Sequence, residues 1–128
     1  MANLKENALS LLASGVAGMQ TVDGKTTLYT VPAGKKAVVT HVVVRQPTAS
    51  LAGGSSFSFG DGTNADTWKT GVSLTLMTGT DDYFVVTKND TVVSAVFDAG
   101  DAFGVKPVTG ATADANAAID VFGYEFNA

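Results

Sequence analysis

The 128-residue chain has a net charge of −4, only 8 Lys and Arg in all, and no basic cluster beyond Lys35-Lys36, so the basic face that phosphate binding needs is not expected and nucleic acid is not a predicted partner. With no Cys and a single histidine, His41, the chain has no disulfide framework, no Cys-based zinc site and no histidine-rich metal cluster of its own. No apolar run approaches the ~20 residues of a membrane span, and the length suits one domain.

Residues 4–19 carry a stripe at helical spacing, Leu4, Ala8, Leu11, Leu12, Val16 and Met19, which predicts a short helix over 3–13 followed by an extended arm. Ser14, Gly15 and Gly18 weaken the second half. The apolar stripe suits either packing on its own domain or docking on a neighbouring subunit, and the docking arm is the preferred reading. The same opening is a poor secretion signal, its apolar part being broken by Ser10, Ser14 and Gly15, so synthesis and assembly in the cytoplasm of the producer are expected.

After the DGK at 23–25 the period changes to two. TTLYTVP reads as a strand ended by Pro32, and PAG as a turn in which Pro sets φ and Gly accepts a positive one. KKAVVTHVVVRQ, dense in β-branched residues, is the strongest strand. Its two faces, Val38, Val42 and Val44 against Ala37, Val39 and Val43, are both apolar, which predicts cover on both sides. His41 reads as a partly buried histidine held by the backbone. Strands then follow at SSFSFGDG, VSLTLM, YFVV, TVVSAVF, AFGVKP and AIDVFGYEF, separated by Gly- and Asp-rich turns. Eight short, evenly punctuated strands from 26 to 126 predict an all-β fold, an eight-stranded antiparallel jelly-roll sandwich with a short N-terminal helix or arm. The organisation expected is 1–25 as helix and docking arm and 26–128 as the sandwich domain.

A search for chemistry finds little. There is no G-x-S-x-G elbow and no P-loop. Asp61, Asn64 and Asp66 in DGTNAD offer oxygen ligands for a cation, but the EF-hand spacing is not met and Asp and Asn are ordinary turn formers. Asp98-x-x-Asp101 in DAGDAFGVKP has the form of an acid pair, yet Asp after Gly at a strand entry bonds back to turn amides. It reads as a corner. No catalytic set and no cofactor is expected. Trp68 reads first as a core or interface filler; with Tyr83 it is also a candidate ligand contact for an alternative reading as a carbohydrate-binding, lectin-like adhesion module, with host surface glycan as the partner.

GDAFGV followed by IDVFGYEF resembles the last two strands of trimeric jelly rolls of the C1q and tumour-necrosis-factor type. LYTVPAGKKAVVTHVVVRQ, GGSSFSFGDGTNADTW and the closing segment resemble small jelly-roll structural proteins of tailed bacteriophage virions: head decoration, head-fibre or tail-associated. That resemblance implies a non-enzymatic virion component, oligomeric and often trimeric, docking on the major capsid or another virion protein. In the closing strand Phe122, Tyr124 and Phe126 share one face, Ile119 and Val121 the other. Val39, Val43, Ile119 and Val121, the less aromatic side, are the expected subunit interface.

Overall fold

The computed structural model describes residues 9–88 and 96–128. They form nine strands and one 3-10 turn: β1 (Ser10–Gly18), the turn Thr21–Asp23, β2 (Thr26–Thr30), β3 (Lys35–Arg45), β4 (Ser56–Gly60), β5 (Lys69–Val72), β6 (Tyr83–Thr87), β7 (Phe97–Asp98), β8 (Ala102–Thr109) and β9 (Asn116–Asn127). The first sheet has the order β1-β9-β3-β6, with β7 also on β3; the second has the order β2-β8-β4-β5. Every pairing is antiparallel. The chain changes sheet at every connection except β4–β5 and β6–β7, so the two sheets are wound together and neither folds alone.

The core lies between the sheets. Val42, Val44, Ile119, Val121 and Val86 from the first sheet meet Phe57, Phe59, Phe103 and Val105 from the second, all at 2 % exposure or less. Trp68, Phe103 and Phe97 make successive edge-to-face contacts, 5.6 Å and 5.5 Å between centroids, the arrangement that ring quadrupoles favour. Tight turns set the strand ends. Lys35 N–H donates to the Pro32 carbonyl across 3.2 Å, and Gly34 takes the positive φ of 75° that this turn demands.

Residues 10–13, expected to be helical, belong to a strand. β1 pairs along β9 from Ser10↔Gly123 to Gly18↔Asn116. The reason is tertiary. Ala13, Gly15 and Ala17 are opposite Val121, Ile119 and Ala117 and present a surface of small side chains inward; a Cβ on Gly15 would already lie 3.2 Å from Leu28. The unpaired edge of β9 offers a template that outweighs a weak helical stripe interrupted by glycines. Leu4 and Ala8 lie outside the described residues. Leu12, Ala17 and Met19 are buried in the chain's own core, and Met19 is stitched in by bonds to Ala115 and Ala111. The expected arm is thus, from Ser10 on, a structural strand. Deleting residues 1–19 is expected to leave no folded domain, because Leu12 and Met19 each contribute about 2–5 kcal/mol of packing. Loss of the β-type circular dichroism and of cooperative melting is the result to look for; a truncated chain that melts like the full one would contradict it.

β3 departs from its reading in a different way. A bulge lies between Val39 and His41. Ala37 and Val39 point inward before it, Val42 and Val44 after it. One face of the strand is therefore apolar and buried throughout. The other, with Lys36, Val38, His41, Val43 and Arg45, is half-exposed, so the strand is not buried on both sides. No strand forms over most of VSLTLM: β5 is Lys69–Val72 and ends where that strand is expected to begin, and residues 73–77 turn back, Met77 N–H donating to the Leu74 carbonyl; the strand expected at TVVSAVF lies mostly outside the described residues.

Candidate functional site

The surface most developed beyond folding needs is the outer face of the first sheet. Side chains opposite each other across its strands share a side. Phe122 stands opposite Leu11 and His41, Tyr124 opposite Val38, and Phe126 opposite Lys36. The His41 ring stacks on Phe122 with centroids 4.6 Å apart and planes within 5°, and its Nδ1 is 3.1 Å from Thr40 Oγ1. His41 is thus fixed by an aromatic ring and a hydroxyl rather than by the backbone bond expected for it.

A polar clamp crosses the same face. Arg45 Nε donates to Asp120 Oδ2 at 2.9 Å and Nη2 to Oδ1 at 3.3 Å, while Ser14 Oγ donates to Oδ1 at 2.6 Å. The Arg45 hydrogen bonds, helped by that of Ser14, hold the Asp120 carboxyl below the usual carboxylate range against the opposing effect of its burial. The clamp ties β1, β9 and β3 together from outside. At the far end Lys36 Nζ meets Asp98 Oδ1 at 2.6 Å.

Between the sheets a buried side-chain pair forms a polar crosslink. The Tyr29 hydroxyl donates to Glu125 Oε2 at 2.6 Å, and both residues are buried. Burial first, then the bond to Glu125 and its charge, push the Tyr29 phenol well above its ordinary 10.0. A raised folded-state value means that this stability is fully present below pH 10 and is lost as pH rises beyond it. Tyr29→Phe is expected to cost about 1–3 kcal/mol near neutrality, by leaving the carboxyl without its partner, and to flatten the loss of melting temperature above pH 10. An unchanged alkaline slope in that variant would assign the loss to other groups.

The predicted site residues scatter. Val39, Ile119 and Val121 sit in the core of their own chain; only Val43 lies on the outer face. The bulge in β3 and the sheet pairing of β9 turn the less aromatic side inward, so the faces expected for core and interface are reversed. Trp68, 3 % exposed, donates from its indole nitrogen to the Val39 carbonyl at 3.0 Å; it is a core residue and not a ligand platform. Tyr83, at 70 %, is open to solvent. Of the expected arm, Leu11 and Val16 point out while Leu12 and Met19 are buried.

The oxygen candidates are held by the loop itself. Asp61 accepts from the Thr67 hydroxyl, Asn64 Oδ1 accepts from Lys106 at 3.0 Å, and the neighbouring Gly62 carbonyl accepts from Lys25 at 2.7 Å. Among the described residues no group of three or more His, Asp or Glu is placed to hold a metal ion. Asp98 and Asp101 form a corner: Asp98 N–H donates to Asp101 Oδ2 at 2.8 Å, and Asp101 N–H to the Asp98 carbonyl at 2.9 Å. Sequence reasoning missed that β1 and β6 are the end strands of the first sheet, with Leu11, Val16, Tyr83, Phe84 and Val85 exposed on them. Their lack of charged residues was the available signal.

Fold and surface together define a two-sheet antiparallel β-sandwich with an aromatic outer face. No protein-family model matches the chain, and no curated protein matches it. Among solved structures it is similar to a chain of the cyanophage Pam1 capsid asymmetric unit, with 14 % identity and a TM-score of 0.56 over 97 % of this chain and 89 % of that one. At that identity the likeness is one of fold.

Proposed function

We propose that this chain is a non-enzymatic structural protein of a bacteriophage virion, a capsid decoration (cement) or head-fibre component that docks on the major capsid protein. The observation that carries this reading is the fold likeness to a phage capsid unit over nearly the whole chain. The strand orders β1-β9-β3-β6 and β2-β8-β4-β5 support a jelly roll, the architecture of many capsid domains. The half-exposed aromatics of the outer face and the exposed Leu11 and Val16 support association with other copies, three by the resemblance to trimeric jelly rolls, and with the capsid. His41 stacked on Phe122 and the corner at Asp98–Asp101 are taken up in structural contacts, which favours a non-enzymatic role. The burial of Trp68 leaves the lectin-like alternative only Tyr83.

Quantitative mass spectrometry of density-banded particles from the source tests the reading. The chain is expected at a fixed copy number per major capsid protein and is expected to stay on particles after a salt wash. Its recovery only in the soluble fraction, or only with cell debris, would remove the virion assignment.

A further inference from the structure

Among the described residues the four end strands, β1 and β6 of the first sheet and β2 and β5 of the second, are unlike one another. An unpaired edge invites pairing with another chain, and proteins usually blunt it with Lys, Pro, bulges or brevity. The second sheet follows that rule. β2 is five residues long, has a bulge between Thr27 and Tyr29, and follows Lys25. β5 has four residues, starts with Lys69 and contains Gly71 at φ 67°.

The first sheet does not follow it. β1 (SLLASGVAG) and β6 (YFVVT) contain no charged residue and no Pro. β1 has a bulge near its start, but from Ala13 to Gly18 its register on β9 is unbroken. Among the described residues, six of the ten exposed large hydrophobics lie on or beside these two strands: Leu9, Leu11, Val16, Tyr83, Phe84 and Val85. Among the described residues β1 and β6 are thus uncharged apolar strands at opposite sides of one sheet, β6 sharing its side of β3 with the two-residue β7, whose Asp98 is paired with Lys36.

Direction fits as well. β1 runs antiparallel to β9, β9 to β3 and β3 to β6, so β1 and β6 run in opposite senses. Rotation about an axis parallel to the strands preserves those senses. It therefore brings β1 of one copy antiparallel to β6 of the next.

We propose that copies of this chain join head to tail, with the β1 edge of one copy pairing with the β6 edge of its neighbour, so that the first sheets run continuously around a closed ring. The occupant of each edge is a second copy of this chain. A two-fold contact of β1 with β1 would leave β6 uncovered, whereas one heterologous contact covers both edges and closes if the rotation does. This rests on the oligomeric part of the proposed function and says how the copies meet.

The experiment uses two edge-blocked variants of the full chain. Val16→Lys places a lysine on β1 at a position 66 % exposed, and Val85→Lys places one on β6 at a position 45 % exposed. Neither enters the core, and the emission of buried Trp68 reports folding. Should Val16→Lys unfold, Leu11→Lys on the same strand replaces it. Native mass spectrometry and sedimentation at micromolar concentration are expected to show the wild type as a closed oligomer. Each variant alone is expected to be a folded monomer, its association weakened by about tenfold or more. Mixed, they are expected to give a 1:1 dimer that grows no further, since each retains the edge the other lacks. A monomeric wild type overturns the proposal and leaves the virion assignment to its own test. So does oligomerisation of Val85→Lys alone, which would indicate a β1–β1 contact, or a mixture that stays monomeric.

Discussion

Val121→Asp should yield no folded protein. Val121 is fully buried and lies opposite Val42 on one side and Ala13 on the other, in the middle of the inward side of the first sheet. Among the described residues the buried polar or charged ones are Ser58 and Glu125, neither of them a cation to receive a carboxylate. The cost of an unpaired buried charge is about 4 kcal/mol or more, against a total stability of about 5–15 kcal/mol for a domain. Val43→Asp is the informative contrast. It substitutes the residue after Val42 in the same strand, but on the half-exposed outer face, and should remain folded. Circular dichroism and Trp68 emission on the two variants separate the cases. A folded Val121→Asp that melts near the wild type would mean that the inward side of β9 has been misassigned.

Gly123→Ala should be nearly as damaging. Gly123 pairs with Val39 at the bulge of β3 and with Ser10 on its other flank. A Cβ at this position would overlap the Val38 carbonyl oxygen and come within 3.0 Å of the Val39 backbone. These are backbone atoms of the central strand and cannot swing away as a flexible side chain would. Replacing Gly by Ala commonly gains about 0.4–1 kcal/mol through the unfolded chain. Here the overlap, about 3 kcal/mol or more, outweighs that gain. Chemical denaturation is expected to show a midpoint far below the wild type, and an equal or higher midpoint would refute the close approach.

The sequence made much of the fold legible where alternation and turn chemistry agreed. TTLYT and KKAVVTHVVVR match β2 and β3 to within a residue or two, because β-branched alternation bounded by Pro32 and Gly34 leaves few other conformations. The two-sheet all-β architecture follows from such segments. β1 was not legible, because LSLLASGVAGM fits a helical stripe and an edge strand about equally well, and the neighbour that decides between them, β9, lies a hundred residues further on. The interface residues were misplaced for a different reason. Alternation shows that a strand has two faces but not which faces inward, and Phe122, Tyr124 and Phe126 look more core-like than Ile119 and Val121. Trp68, read first as a core or interface filler and as a ligand contact only in the lectin-like alternative, reaches inward to Val39 with its indole.

The extra residue in β3 divides the strand into two frames. Inward positions have odd numbers up to Val39 and even numbers from Val42 on. A saturation scan of 35–45 should therefore show intolerance that changes parity at Thr40–His41. Thr40 is half-exposed and bonds outward to the Phe122 carbonyl, so substitutions there should be mild. Removing Thr40 altogether would take out the extra residue and leave one unbroken alternation, with Ala37, Val39, Val42 and Val44 still inward and Val38, His41, Val43 and Arg45 still outward. Deletion there should therefore be tolerated far better than deletion of Val42, after which every residue beyond it would change face.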